Sequence, residues 1–266
     1  MVDEERGPGA EWTPGRLDGA RVLVVGASSG IGRSLGLQLA RRGARVAFAA
    51  RRRPLVEEAA AEAANGSIGL VCDVRDEVSC SGVVADTLAA FGGLDVVVYA
   101  TAIDVLVRLE TADHGTWADT FATNVAGAAR VASAALEPLK AAKGRLVVVS
   151  ASSVDRPLPG MGVYASSKAA LETLARAWHA EHPDLCVSTV RVGSALGTEV
   201  TAHWDRDLLM ELAGPWNDLG YTHDNGPGGP MDVEEAAGSI LAVIESPICL
   251  REVTAVSDAA HPRSYT

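Results

Sequence analysis

Short runs of β-branched and apolar residues alternate with alanine-rich stretches of helical period along almost the whole chain, and few folds accept that order. The strand candidates are Arg21–Val25, Arg45–Ala49, Ile68–Val71, Leu94–Tyr99, Arg145–Ser150, Cys186–Val192 and Glu252–Val256. Each is apolar almost throughout rather than alternating, as expected of strands covered on both faces of a parallel sheet. Helical patterns lie between them near 30–42, 54–64, 76–91, 112–142, 161–181 and 232–246. Repeated strand–helix–strand units require right-handed crossovers. The expected architecture is therefore α/β: a Rossmann-type, doubly wound, mostly seven-stranded parallel sheet with helices on both faces. With 266 residues, 48% of them hydrophobic, the chain suits one such domain over 17–266. Residues 1–16 read as a flexible acidic lead-in. Residues 199–230, with Trp204, Trp216 and "DNGPGGP", read as an irregular, lid-like excursion.

Bulk properties narrow the function class. A formal charge of −11 argues against a nucleic-acid or anionic-membrane binder, because both need a cationic face. No apolar run approaches the ~20 residues of a membrane span, and the acidic start is no secretory signal. The cysteines Cys72, Cys80, Cys186 and Cys249 form no CxxC pair and read as reduced thiols of a cytoplasmic protein. The six histidines show no ligand spacing, so no metal is expected.

"RVLVVGASSGIGRSLGLQLARRG" puts Gly26, Gly30 and Gly32 between the first strand and first helix, with Ser28, Ser29 and Ile31 among them. Glycine lets the backbone turn sharply and approach a ligand, and the helix start offers N–H donors to a pyrophosphate. An acid at the end of the second strand would hold the 2′-hydroxyl of NAD; here Ala50 precedes Arg51, Arg52 and Arg53. Guanidinium groups pair with a 2′-phosphate, and Arg33 is a second candidate for it. The expected cofactor is NADP(H), preferred over NAD(H).

"SASSVDRPLPGMGVYASSK" sets Tyr164 and Lys168 one helical turn apart on one face. Reducing a carbonyl by hydride leaves negative charge on oxygen, so a positioned acid must supply a proton. A nearby ammonium favours the phenolate and eases that release. A hydroxyl beside the tyrosine should hold the substrate oxygen as an oxyanion donor.

These motifs together resemble the short-chain dehydrogenase/reductase family, over about 18–258. "GASSGIG" is similar to TGxxxGIG, "CDV" at 72–74 to the D-V pair, "NVAG" at 124–127 to N-x-x-G, and "YASSK" to YxxxK. The resemblance implies Asp73 and Val74 against the adenine, and Ala100 beside the cofactor. It also implies a Lys168 contact to the nicotinamide ribose and an Asn124 that bends a helix and holds a proton-relaying water. The family's serine lies thirteen positions before the tyrosine, which lands on Ala151; Ser150 and Ser152 flank it, and Ser152 is favoured as the outer of the two. Tyr99–Ala102 stand where the family carries N-N-A-G, which marks a divergent member.

The resulting expectation is an NADP(H)-dependent oxidoreductase, a carbonyl reductase or alcohol dehydrogenase, with Tyr164 as proton donor or acceptor. The partner is a small carbonyl or alcohol, lipophilic or ring-bearing as Trp204 and Trp216 hint. The resemblance adds a homodimer or homotetramer built on helices 112–142 and 161–181. The alternatives are an isomerase or dehydratase using the same cofactor, and a silent NADP(H)-binding sensor or scaffold.

Overall fold

The computed structural model describes residues 12–219 and 229–257. Among them seven strands form one parallel sheet: β1 (Arg21–Val25), β2 (Arg45–Ala50), β3 (Ile68–Val71), β4 (Val96–Tyr99), β5 (Arg145–Ala151), β6 (Cys186–Val192) and β9 (Glu252–Ala255). Their order is β3-β2-β1-β4-β5-β6-β9, so the order reverses between β1 and β4. Ligands of open α/β sheets bind outside the strand C-termini at such a reversal. A separate parallel pair, β7 (Ala195–Leu196) with β8 (Met231–Asp232), sits beyond β6.

The helices are α1 (Gly30–Arg41), α2 (Arg53–Ala63), α3 (Glu77–Phe91), α4 (His114–Phe121), α5 (Gly127–Ala142), α6 (Gly162–Glu181), α7 (Arg206–Asp218) and α8 (Val233–Glu245). Alternate residues of β1 enter separate apolar cores: Val22 and Val24 one, Leu23 and Val25 the other. This two-sided burial explains why the strand sequences are continuously apolar. The long helical pattern expected over 112–142 is divided by a π-turn, Ala122–Ala126, between α4 and α5.

Three expectations change. The lead-in is anchored at Trp12, which is 3% exposed, with the Arg145 guanidinium 5.0 Å above its ring. The excursion contains α7, which buries Leu212 and Trp216; its Asp205 cap accepts from the Asp207 and Leu208 amides. Residues 220–228 of the excursion lie outside the described residues. Finally, Cys186 and Cys249 form a disulfide, with 5.6 Å between Cα atoms, so the all-thiol reading is corrected. Parallel pairing of β6 with β9 brings Cys186 and the segment before β9 together, which the 63-residue separation conceals. Disulfides persist in oxidising surroundings, so the cysteines no longer support a cytoplasmic location. Cys72 and Cys80 remain free and buried.

Candidate active site

The glycine turn leaves β1 at its C-terminal end. Gly26 takes φ +97°, and a Cβ there would stand 2.7 Å from the Thr101 amide nitrogen. A Cβ on Gly32 would collide with the Gly26 carbonyl, so turn and helix start close only without side chains. Ser29 caps α1 without a side-chain bond to the helix. The Ser29 hydroxyl donates instead to Glu199 at 2.9 Å and accepts from Arg52 at 2.8 Å; Arg52 also donates to Ser28 at 2.9 Å. Arg52 and Glu199 form an ion pair at 2.8 Å. Arg52 and Ser29 together hold Glu199 below the usual carboxylate range. A carboxylate thus sits in a cradle of guanidinium, hydroxyl and helix start, the donor set that suits a phosphate.

The other expected cofactor residues spread around this turn. Ile31 packs against the core under α1. Arg33 is engaged by Glu58 at 3.2 Å and Glu62 at 2.6 Å, so it is neutralised by α2. Arg51 is exposed, close enough to help lower the Asp73 carboxyl, although Arg75 is the main cause. Val74 is buried and its carbonyl accepts from Arg130. The Ala100 amide donates to Val25, carrying β4 alongside the glycine turn.

On the other side of the reversal, Asn124 lies inside the π-turn and is wholly buried. Its Oδ1 accepts from the Ile103 amide at 2.7 Å, and its Nδ2 donates to the Ile103 carbonyl at 2.9 Å and to Ser167 at 2.8 Å. One amide thereby ties the loop after β4 to α6. Tyr99, where the resemblance has an asparagine, sends its phenol across to the Thr123 carbonyl at 2.5 Å. A Cβ on Gly127 would strike that phenol, so this tyrosine and that glycine fit each other.

Helix α6 presents Tyr164, Lys168 and Glu172 at four-residue spacing along one inward stripe. Lys168 Nζ donates to the Val149 carbonyl at 2.8 Å and lies 5.7 Å from the centre of the Tyr164 ring. Burial brings the Lys168 ammonium down to about 8. Burial also pushes the Tyr164 phenol well above its ordinary value, and the charge of Asp104 adds to the rise. The expected easing of proton release by Lys168 is therefore not what the chain alone produces. The amine is bonded to the strand, placed by the ring and buried, while the ring itself is partly buried.

The structure separates the two serines. Ser150 is buried and its hydroxyl donates to Glu172 at 2.7 Å; Glu172 is in turn gripped by Arg191 at 2.7 and 2.6 Å. Ser150 is a structural link and has no free proton for a substrate. Ser152 opens a 3-10 turn, Ser152–Val154, directly after Ala151, whose backbone is still extended. Sequence reasoning missed Glu172, whose position eight after Tyr164 marks the same helical face, and Glu199 and Asp104, whose partners are remote in the chain.

Residues 20–208 match the family model of the short chain dehydrogenases. The chain belongs to the short-chain dehydrogenase family. Among curated relatives, an 11-beta-hydroxysteroid dehydrogenase A of Sesamum indicum is 36% identical over 181 residues, covering 66% of this chain and 52% of its own. An 11-beta-hydroxysteroid dehydrogenase 1A of Arabidopsis thaliana is 37% identical over 160 residues, 58% of this chain and 46% of its own. This short-chain dehydrogenase thus spans about half the length of such relatives. An alcohol dehydrogenase from Thermococcus sibiricus, solved with 5-hydroxy-NADP, superposes with TM-score 0.76 at 25% identity, covering 92% of this chain and 98% of that one. A gluconate 5-dehydrogenase from Burkholderia cenocepacia gives 0.78 at 21% identity, covering 92% and 96%, a likeness that bears on the fold alone.

Proposed function

We propose that this short-chain dehydrogenase is an NADP(H)-dependent oxidoreductase that interconverts a carbonyl and a secondary alcohol. The observation that carries the reading is the pairing on α6 of a partly buried Tyr164 with a buried Lys168, held to the end of β5 across the sheet reversal from the glycine turn. The cradle of Ser28, Ser29 and Arg52 fits a phosphate-bearing dinucleotide, because it already holds a carboxylate. Arg52, with no acid at Ala50, supports NADP over NAD.

A nicotinamide cofactor, when bound, supplies or accepts the hydride at the carbonyl carbon. The chain contributes the proton. Tyr164 is held neutral by burial, the state in which a phenol has a proton to give to an alkoxide. Lys168 keeps the end of β5 against α6 and, once charged, stabilises the phenolate left behind. Tyr164 and Trp204 pack in an apolar cluster with Leu106, Met161 and Trp216, which excludes water. That cluster and the sesame relative's name both support a lipophilic, ring-bearing substrate. A homodimer or homotetramer through α5 and α6 completes the proposal.

NADPH oxidation with a panel of ketones and aldehydes tests it, comparing the native chain with Tyr164→Phe. The variant is expected to bind NADPH unchanged and lose about 10²–10⁴ in turnover, the usual worth of a positioned acid. Turnover that survives Tyr164→Phe would overturn the proton role. Tighter NADH than NADPH binding would overturn the cofactor preference, and binding without turnover in either protein would favour the silent sensor.

A further inference from the structure

Asp104 is a carboxyl group that neither the fold nor the proposed chemistry has used. It follows Ile103, whose backbone is clamped from both sides by Asn124, and Asn124 also bonds Ser167, the neighbour of Lys168. From the other side, the Trp204 indole N–H donates to the Asp104 carbonyl at 3.4 Å. Trp204 belongs to the apolar cluster that contains Tyr164 and packs edge-on to Trp216, 5.9 Å between ring centres. The backbone of Asp104 is therefore fixed between the helix of the proton donor and the excursion. Its Oδ1 is buried without a hydrogen-bond partner. A buried carboxylate oxygen with no donor is costly, and such an exception calls for a reason.

The charged and titratable groups that bear on this carboxyl are Lys168 and Tyr164, both from α6. From the π-turn the neutral Asn124 holds the adjoining Ile103 backbone, and from the excursion the neutral Trp204 holds the Asp104 carbonyl. The influence runs both ways: Asp104 raises Tyr164 and Lys168, and Lys168 partly offsets the burial that pushes Asp104 up to about 7. Ser150 is committed to Glu172, and Ala151 has no polar group. At the neighbouring strand end the hydroxyls left are those of Ser152 and Ser153, and the Ser153 hydroxyl is, like Asp104 Oδ1, buried without a partner.

We propose that Asp104 is a catalytic residue of this site: as a neutral carboxylic acid it donates a hydrogen bond to the substrate oxygen beside Tyr164. The inference rests on the oxidoreductase reading of the same site. The acid keeps its proton throughout. Tyr164 transfers the proton to the oxygen, and the Asp104 O–H shares the charge that develops there. An ionised Asp104 would repel that charge. Activity is thus full while the carboxyl is protonated and declines as pH rises through its titration near 7.

Asp104→Asn keeps a donor that does not titrate, and Asp104→Leu keeps volume without one. Asp104→Leu is expected to lower kcat about 100-fold, the typical effect of removing one oxyanion donor, with NADPH binding unchanged. Asp104→Asn should stay within about tenfold of the native chain at low pH and lose the alkaline decline that begins near 7. Independently of activity, difference infrared spectra of the native chain should show a protonated-carboxyl carbonyl stretch that disappears above about 7 and is missing in Asp104→Asn. Native kcat in Asp104→Leu, an alkaline limb that persists in Asp104→Asn, or no such infrared band would each overturn the proposal. If Asp104→Leu does not fold, the asparagine variant and the infrared band decide. Loss of turnover in Tyr164→Phe with full turnover in Asp104→Leu removes Asp104 alone; no turnover with any carbonyl removes the oxidoreductase reading, and Asp104 with it.

Discussion

Tyr99 shows how one side chain can take over a structural task by a different chemistry. Its phenol is buried, and burial holds it well above its ordinary pKa, so it acts purely as a hydrogen-bond donor to Thr123. That bond runs from the end of β4 into the π-turn that carries Asn124. Tyr99→Phe leaves the ring in place and the Thr123 carbonyl short of a donor. We expect a loss of about 1 kcal/mol of stability, read as a lower midpoint in urea, with NADPH binding kept. The same distinction applies at Ser150. Its residue type suited a catalytic reading, but hydroxyl direction depends on the neighbour it meets, and that neighbour is Glu172.

Elements combine these side chains into devices. Helix α6 uses a single stripe twice: its start carries the proton site, and Glu172 one turn beyond Lys168 braces β5 and β6 through Ser150 and Arg191. The segment after β7 acts on the cradle in front of α1. Glu199 sits there on Ser29 and Arg52, where an incoming phosphate would be held. The contact is exposed, and exposed pairs are weak, so it competes modestly. Glu199→Gln is expected to tighten NADPH binding by about fivefold or less in a fluorescence titration. Weaker binding in that variant would mean that Glu199 supports the cofactor instead of competing with it. At the opposite side of the sheet, Arg21 at the start of β1 meets Asp95, before β4, through bonds of 3.0 and 2.7 Å; both are buried. This pair holds together the two strands that frame the reversal.

For the whole molecule, the disulfide is the longest-range constraint of covalent kind. It joins the start of β6 to the segment before β9, at the end of the sheet away from the strand C-termini where the site lies. A closed loop of this length stabilises chiefly by restricting the unfolded chain, typically by about 2–4 kcal/mol. Cys249→Ser, or treatment with a thiol reductant, should lower Tm by several degrees. Turnover below the transition should be unchanged, because the bond lies remote from Tyr164 and the glycine turn. A loss of turnover in fully folded, reduced protein would show that the sheet edge is coupled to the site.

The strand–helix alternation, the glycine turn and the Tyr164–Lys168 stripe were determined by sequence alone, because each depends on neighbours within one or two turns or a single strand. Periodicity and backbone freedom are local properties, so they survive without knowledge of the fold. Where Ser150 points, what holds Glu199, which cysteines pair and what Asp104 faces were decided only by tertiary structure. Those outcomes depend on strand register and on which elements meet across the reversal. Burial then sets the charge states: the same removal of water keeps Tyr164 protonated, lowers Lys168 and raises Asp104. Local pattern names the residues that can do chemistry, and packing determines which of them have a free proton to do it with.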